Sequence, residues 1–218
     1  MIPLRDVIPS RTTPWITLTL IAVNSVVFVY ELLIGRGEAS RFIFTFGLTP
    51  SAFSWITVVS SLFIHAGWLH IAGNLLSLWI FGDSVEDRMG HGRFALFYLL
   101  TGVIANLVHT AANSASDVPL IGASGAIAGV MGAYLLMFPS SRILVLIYLF
   151  VFVDVVEIPA VFFMVFWLFI QLLNGVAQLA ALPGASVAFW PEVGGFIAGA
   201  AGVWIFRRPE RLRVEWWG

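Results

Sequence analysis

The chain reads as an all-α polytopic membrane protein, a bundle of six transmembrane helices, and three observations predict it. Hydrophobic residues make up 60% of the 218 and charged residues only 11%, whereas a soluble domain carries roughly 25% charged residues. The apolar residues gather into stretches near the ~20 residues that a helix needs to cross a bilayer. The arginines crowd onto alternate connections, as an even number of spans with both ends on one side requires. A mean hydropathy of +0.96 agrees with the first observation.

The first span covers about 14–34, with Pro14 at a favourable helix start. Arg5 and Arg11 precede it, but no small-residue cleavage site follows promptly, so it reads as a retained helix rather than a signal peptide. The next apolar stretch, 55–81, is too long for one simple span. Ser60, Ser61, His65, Gly67 and His70 interrupt it, which puts its first third in the interface and starts a helix near 68 that runs past 81. Further spans are expected over about 94–112, 120–138, 158–179 and 187–206. The apolar piece 143–153 either lengthens a neighbouring helix or lies along the interface before Pro159. Residues 1–218 make one membrane domain, with short tails of about 1–13 and 207–218.

Six spans place the N-terminal tail, the second–third loop (Arg88, Arg93), Arg142 and the C-terminal tail (Arg207, Arg208, Arg211, Arg213) on one side. Only Arg36 and Arg41 fall on the other. The excess of arginine marks the cytoplasmic side, so both termini are expected there. A net charge of −1 gives no field to attract nucleic acid. The absence of cysteine excludes disulfides and thiolate-held metals. No metal or other cofactor is expected, and the lipid bilayer is the evident partner.

Three segments then place polar groups at a similar shallow depth, on helices that enter from the non-cytoplasmic side. Ser124, in Gly122-Ala123-Ser124-Gly125-Ala126, heads the fourth span; Glu192 heads the sixth; His70 and Asn74 lie high in the second. His70 and Asn74 are four apart and share a helix face. Polar groups inside spans are costly and face the bundle interior or a hydrated cavity. Gly122 and Gly125 leave the backbone around Ser124 open. Gly125, Gly129 and Gly132 form a small-residue stripe on the fourth helix, and Gly195 and Gly199 another on the sixth, in line with Glu192. Such stripes let membrane helices pack closely, and by themselves indicate packing only.

Other polar residues have plainer readings. His65 is expected to be a satisfied interfacial histidine, His91 solvated, and Asn106 and His109 engaged across helices. Asp83, Glu86, Asp87 and Arg88 read as a solvated helix end, Glu31 as interfacial, and Asp154 and Glu157 as a membrane edge.

Taken together, the pattern resembles the rhomboid family of intramembrane serine proteases over about 48–206. The resemblance is carried by Gly47-Leu48-Thr49-Pro50, the His65…His70…Asn74 run, and Phe81-Gly82-Asp83-Ser84-Val85-Glu86-Asp87-Arg88-Met89-Gly90. Gly122 to Gly129, Glu157-Ile158-Pro159-Ala160, Trp167 with Gln171, and Gly194-Gly195-Phe196 continue it. It implies a six-helix bundle that cleaves transmembrane protein substrates near the outer face; the membrane expected for this chain is a bacterial or archaeal plasma membrane. It also implies Ser124 as nucleophile, with His70, Asn74 and the Ser124 backbone N–H as oxyanion donors. By the same analogy the aromatic fifth helix (Phe162, Phe163, Phe166, Trp167, Phe169) forms a lateral gate.

The chain departs from the family at one place: Glu192 stands where the resemblance requires a histidine base. A serine is a poor nucleophile unless a base takes its proton, and a glutamate serves only when tuned to about pH 6–7. Two functions stay open: an endopeptidase with a Ser–Glu dyad, and a catalytically silent protein, natural or inactivated by Glu192, that binds transmembrane segments without cutting them. Zinc and aspartyl membrane proteases fit poorly, since neither His-Glu-x-x-His nor a Gly-x-Gly-Asp pair is present.

Overall fold

The computed structural model describes residues 2–149, 152–181 and 189–208. Among these the chain forms eight α-helices: α1 Trp15–Leu33, α2 Gly35–Phe46, α3 Trp55–Ser60, α4 Trp68–Met89, α5 His91–Ala112, α6 Ser124–Met137, α7 Ala160–Ala181 and α8 Trp190–Phe206. Helices α1 and α5 are long and apolar enough to cross a membrane alone, and α3 with the turn after it and α4 makes a third apolar unit bent by 89°. The six long helices α1 and α4–α8 correspond to the six expected spans and build a polytopic helical bundle. The C-terminal tail beyond 208 and the expected start of the sixth span at 187 lie outside the described residues.

Polar residues within the spans are absorbed locally. In α1 the side chains of Thr19, Asn24 and Ser25 donate to the carbonyls four residues earlier, at 2.7–2.8 Å. This satisfies those donors without an aqueous partner, although Asn24 Oδ1 is buried with no partner among the described residues.

Helix α6 is the centre of the bundle. Every residue from Gly125 to Tyr134 is buried, as befits a helix that is apolar all round. It lies against α4, α5 and α8. The two glycine stripes meet here: a Cβ added at Gly195 would lie 1.9 Å from the Gly125 carbonyl oxygen, and one at Gly199 1.9 Å from that of Gly129. Backbone therefore touches backbone along the α6–α8 seam, and any side chain at either position would force the helices apart.

Three expectations are corrected. Residues 120–123 are not helical: Leu48 and Leu120 exchange both backbone hydrogen bonds, at 3.0 and 2.8 Å, and the Gly122 N–H is held by the Ser61 carbonyl. Helix α6 therefore begins at Ser124 itself. The ambiguous piece within 143–153 belongs to neither adjoining helix. It falls in strands β2 (Arg142–Leu149) and β3 (Phe152–Pro159), an antiparallel pair that β1 (Ile2–Asp6) extends to three strands in the order β1-β2-β3. Ile143 and Val145 point into the core.

Glu86 is the third correction. Far from being solvated, it is 0% exposed, and its carboxylate accepts the N–H groups of Ile16 and Thr17 at 2.9 and 2.8 Å and the Thr17 hydroxyl at 2.8 Å. These are first-turn donors of α1, which lack partners within their own helix. Glu86 thus caps a neighbouring helix and also pairs with His91 Nδ1 at 2.6 Å, so the partly exposed His91 is engaged rather than merely solvated. Thr12 donates to Asp87 at 2.7 Å, and Ser10 to Asp83, extending the polar clamp. Nearby, Asp6 accepts from Ser84 and Tyr134 at 2.6 and 3.0 Å. Burial pushes the Asp6 carboxyl above the usual carboxylate range, against the pull of those two bonds.

Candidate active site

At the end of the bundle remote from the Glu86 clamp, the first turns of α4, α6 and α8 converge on one cavity of about 300 Å³. Its walls include His70, Asn74, Ser124 and Glu192, with Trp167 and Gln171 of α7 on the remaining side. Ser124 is the first residue of α6, beside the helix's unpaired N–H groups and positive dipole end. Its Oγ donates to Glu192 Oε1 at 2.8 Å. The glycine seam sets this distance, since Glu192 sits one turn ahead of Gly195, whose Cα faces the Gly125 carbonyl. Glu192 is 7% exposed, and its second oxygen, Oε2, is buried with no partner among the described residues.

The opposite wall is a donor pair whose proton positions are set by its neighbours. The Ala66 N–H donates to His70 Nδ1 at 3.4 Å, so the imidazole proton resides on Nε2. That atom faces Gly122: a Cβ built there would lie 2.5 Å from His70 Nε2 and 3.7 Å from Asn74 Nδ2. Gly122 also has φ +116°, which L side chains avoid. The residue thus serves both the turn into Ser124 and the approach of His70. Asn74 Nδ2 lies 3.0 Å from His65 Nε2 and donates to it, leaving its second N–H for the cavity.

His65 corrects the expectation of an interfacial histidine. It is 1% exposed, bonds Asn74, and stacks edge-on to His70 with ring centroids 5.0 Å apart. Sequence reasoning missed this partnership because His65 precedes α4, and the turn over 64–67 folds it back onto that helix. Ser77 was also missed, although its spacing from His70 and Asn74 puts it on their face, and it too lines the cavity. Asn106 does bond across helices, to the Val58 carbonyl at 2.7 Å and Ser61 Oγ at 3.0 Å. His109 is buried in α5 close to Asn113. Neither Asn106 nor His109 lines the cavity. No cluster of metal-ligating side chains occurs among the described residues.

Fold and site together define a class: a polytopic membrane bundle with a hydroxyl, a carboxyl and a donor pair around one cavity. The family model for the rhomboid domain matches residues 52–209, and the chain belongs to the rhomboid family. It is 34% identical over 136 residues to the rhomboid protease GluP of Bacillus subtilis (strain 168), covering 59% of this chain and 26% of that protein. It is 32% identical over 99 residues to the mitochondrial rhomboid protein 1 of Saccharomyces cerevisiae, covering 44% of this chain and 29% of the relative. To the mitochondrial presenilin-associated rhomboid-like protein of Mus musculus it is 38% identical over 88 residues, 39% of this chain and 23% of the other. The chain thus spans about a quarter of the length of each of these relatives.

Proposed function

We propose that the chain is an intramembrane serine endopeptidase of the rhomboid type, cleaving transmembrane protein substrates with Ser124 as nucleophile. The observation that carries this is the 2.8 Å hydrogen bond from Ser124 Oγ to Glu192 across from His70 and Asn74 in one cavity. In the reaction, Glu192 takes the Ser124 proton as Oγ attacks the scissile carbonyl carbon. The carbonyl oxygen gains the negative charge and turns toward His70 Nε2–H, the free Asn74 N–H and the Ser124 backbone N–H. Donors fixed in advance lower the barrier most where water is excluded. Glu192, once protonated, gives its proton to the leaving amine, and water releases the acyl group by the same route. Residues 1–218 act as one membrane domain, in the plasma membrane of a bacterium or archaeon, with the segments before α1 and after α8 on the cytoplasmic side.

Binding without cleavage is the second reading, and one observation favours it. A general base must hold its carboxylate form before the reaction, yet Glu192 Oε2 receives no hydrogen bond from another described residue, and a buried charge with no cation beside it is costly. Labelling the purified full chain with an alkyl fluorophosphonate across pH, then mapping the modified residue, decides between the two. Modification of Ser124 that disappears in Glu192→Gln supports the dyad. Absence of labelling in a folded protein at every pH supports the binder.

A further inference from the structure

A second cavity, of about 350 Å³, opens between α1, α2 and the turn over 64–67. Glu31, Arg36, His65 and Ala66 line it, whereas Asn74 and His70 line the serine cavity. The turn thus separates two polar spaces, and each of its middle residues reaches toward the serine. His65 receives the Asn74 amide at 3.0 Å, and the Ala66 N–H meets His70 Nδ1 at 3.4 Å. On the other side the turn is gripped by Glu31, whose Oε1 accepts the His65 backbone N–H at 3.4 Å.

Glu31 was expected to be interfacial, but it is 5% exposed, and a carboxyl buried in an apolar helix is retained at a cost. Its partner is the backbone N–H of His65, the residue whose ring meets Asn74 and whose carbonyl carbon bears the Ala66 N–H that meets His70. His65 Nδ1, the proton-bearing nitrogen once Nε2 accepts from Asn74, is buried with no side-chain partner among the described residues, and the backbone of Phe63 is the group that interacts with the ring. The imidazole is therefore held in place by the turn's backbone and by Asn74.

We propose that Glu31 is a positioning residue for the donor pair, holding the 64–67 turn so that His65 orients the Asn74 amide and Ala66 sets the His70 tautomer. Its catalytic consequence rests on the reading of Ser124 as nucleophile; its structural consequence does not. A glutamine at position 31 keeps an acceptor oxygen at the same reach, whereas leucine removes it at similar volume.

The test compares Glu31→Leu and Glu31→Gln in the full chain carrying Glu192→His, by fluorophosphonate kinetics and by imidazole ¹⁵N spectra. The four histidines of the chain and the one introduced by Glu192→His give five rings, each followed separately once assigned. Glu31→Leu should move the His65 and His70 ring signals and leave His91 unmoved. It should lower the maximal labelling rate of Ser124 about tenfold or more with the half-saturating concentration unchanged, as expected for misplaced oxyanion donors. Glu31→Gln should restore both. If Glu31→Leu does not fold, Glu31→Asp, with a shorter arm, carries the same comparison. Unmoved rings, or a fall in melting temperature with unchanged labelling, would overturn the proposal. Should Ser124 label in none of these chains, the protease reading fails, and the ring signals alone decide whether Glu31 aligns the turn.

Discussion

Glu192 is the residue on which chemistry and packing meet. Its carboxyl reaches Ser124 only because Gly195 and Gly199 bring α8 backbone against α6. Replacing it by histidine offers a base of unperturbed pKa about 6.5 rather than about 4.3. Glu192→His should therefore raise proteolysis by about 10²-fold or more, since losing a matched base costs ~10⁴ or more. Ser124→Ala in that background should abolish it. Cleavage that survives Ser124→Ala would mean that another group is the nucleophile. Gly122 supplies a second test at this scale. Alanine there meets His70 within 2.5 Å at a φ of +116°, and Gly122→Ala should cost about 1–3 kcal/mol of stability and weaken serine labelling. Equal melting temperature and labelling in Gly122→Ala would show that the loop relaxes freely. His70, Asn74, Ser124 and Glu192 were legible as cavity residues because they are polar groups in apolar helices, whereas Ser77, one turn on, passed for an ordinary helix serine. His65 was not legible either, since its partner is set by a turn that no periodicity describes.

At the scale of elements, what could be read was length and hydropathy, and what could not was pairing. The stretch over 142–159 is a nearly continuous apolar run, which periodicity alone does not distinguish from buried helix. Its strand character rests on its own hairpin and on Ile2–Asp6, far away along the chain. Glu86 hid for a similar reason. Acidic residues near a helix end ordinarily meet water, and only the docking of α1 turns this one into a cap. Gly82 was the available signal, for a Cβ there would lie 2.9 Å from Thr17 Oγ1. Glu86→Ala strands two first-turn N–H groups and the Thr17 hydroxyl, and should cost about 2–4 kcal/mol. His91→Ala, which removes one partly exposed partner, should cost well under half as much. Thermal unfolding in a fixed detergent measures both, and equal losses would contradict the role of Glu86 as the cap of α1. The α6–α8 seam is stricter still: Gly199→Ala sets a methyl 1.9 Å from a backbone oxygen, where no rotamer change gives relief. Its melting temperature should fall further than that of Gly202→Ala, whose nearest neighbour is a Phe97 ring at 3.0 Å.

The whole molecule has two polar ends of different kind. Helices α4, α6 and α8 begin at the serine cavity, whereas α1 begins at the Glu86 clamp, where α4 ends. The side from which the chain enters the membrane therefore decides on which side the serine opens. The arginines argue for one answer: Arg5, Arg11, Arg88 and Arg93 flank the clamp end, while Arg36 follows α1 at the other. An excess of arginine marks the cytoplasmic side, which predicts the clamp inside and the serine cavity outside. Reporters fused after Gly218 should then read cytoplasmic, and one inserted between Arg36 and Arg41 should read external. In intact cells expressing Glu192→His, a membrane-impermeant fluorophosphonate should label Ser124 without permeabilisation. An external C-terminal reporter would break the arginine reading while leaving the site geometry untouched. Labelling that requires permeabilised cells, with both reporters as expected, would instead mean that the cavity opens toward the cytoplasm, and the depth assigned to the three helix starts would have to be abandoned.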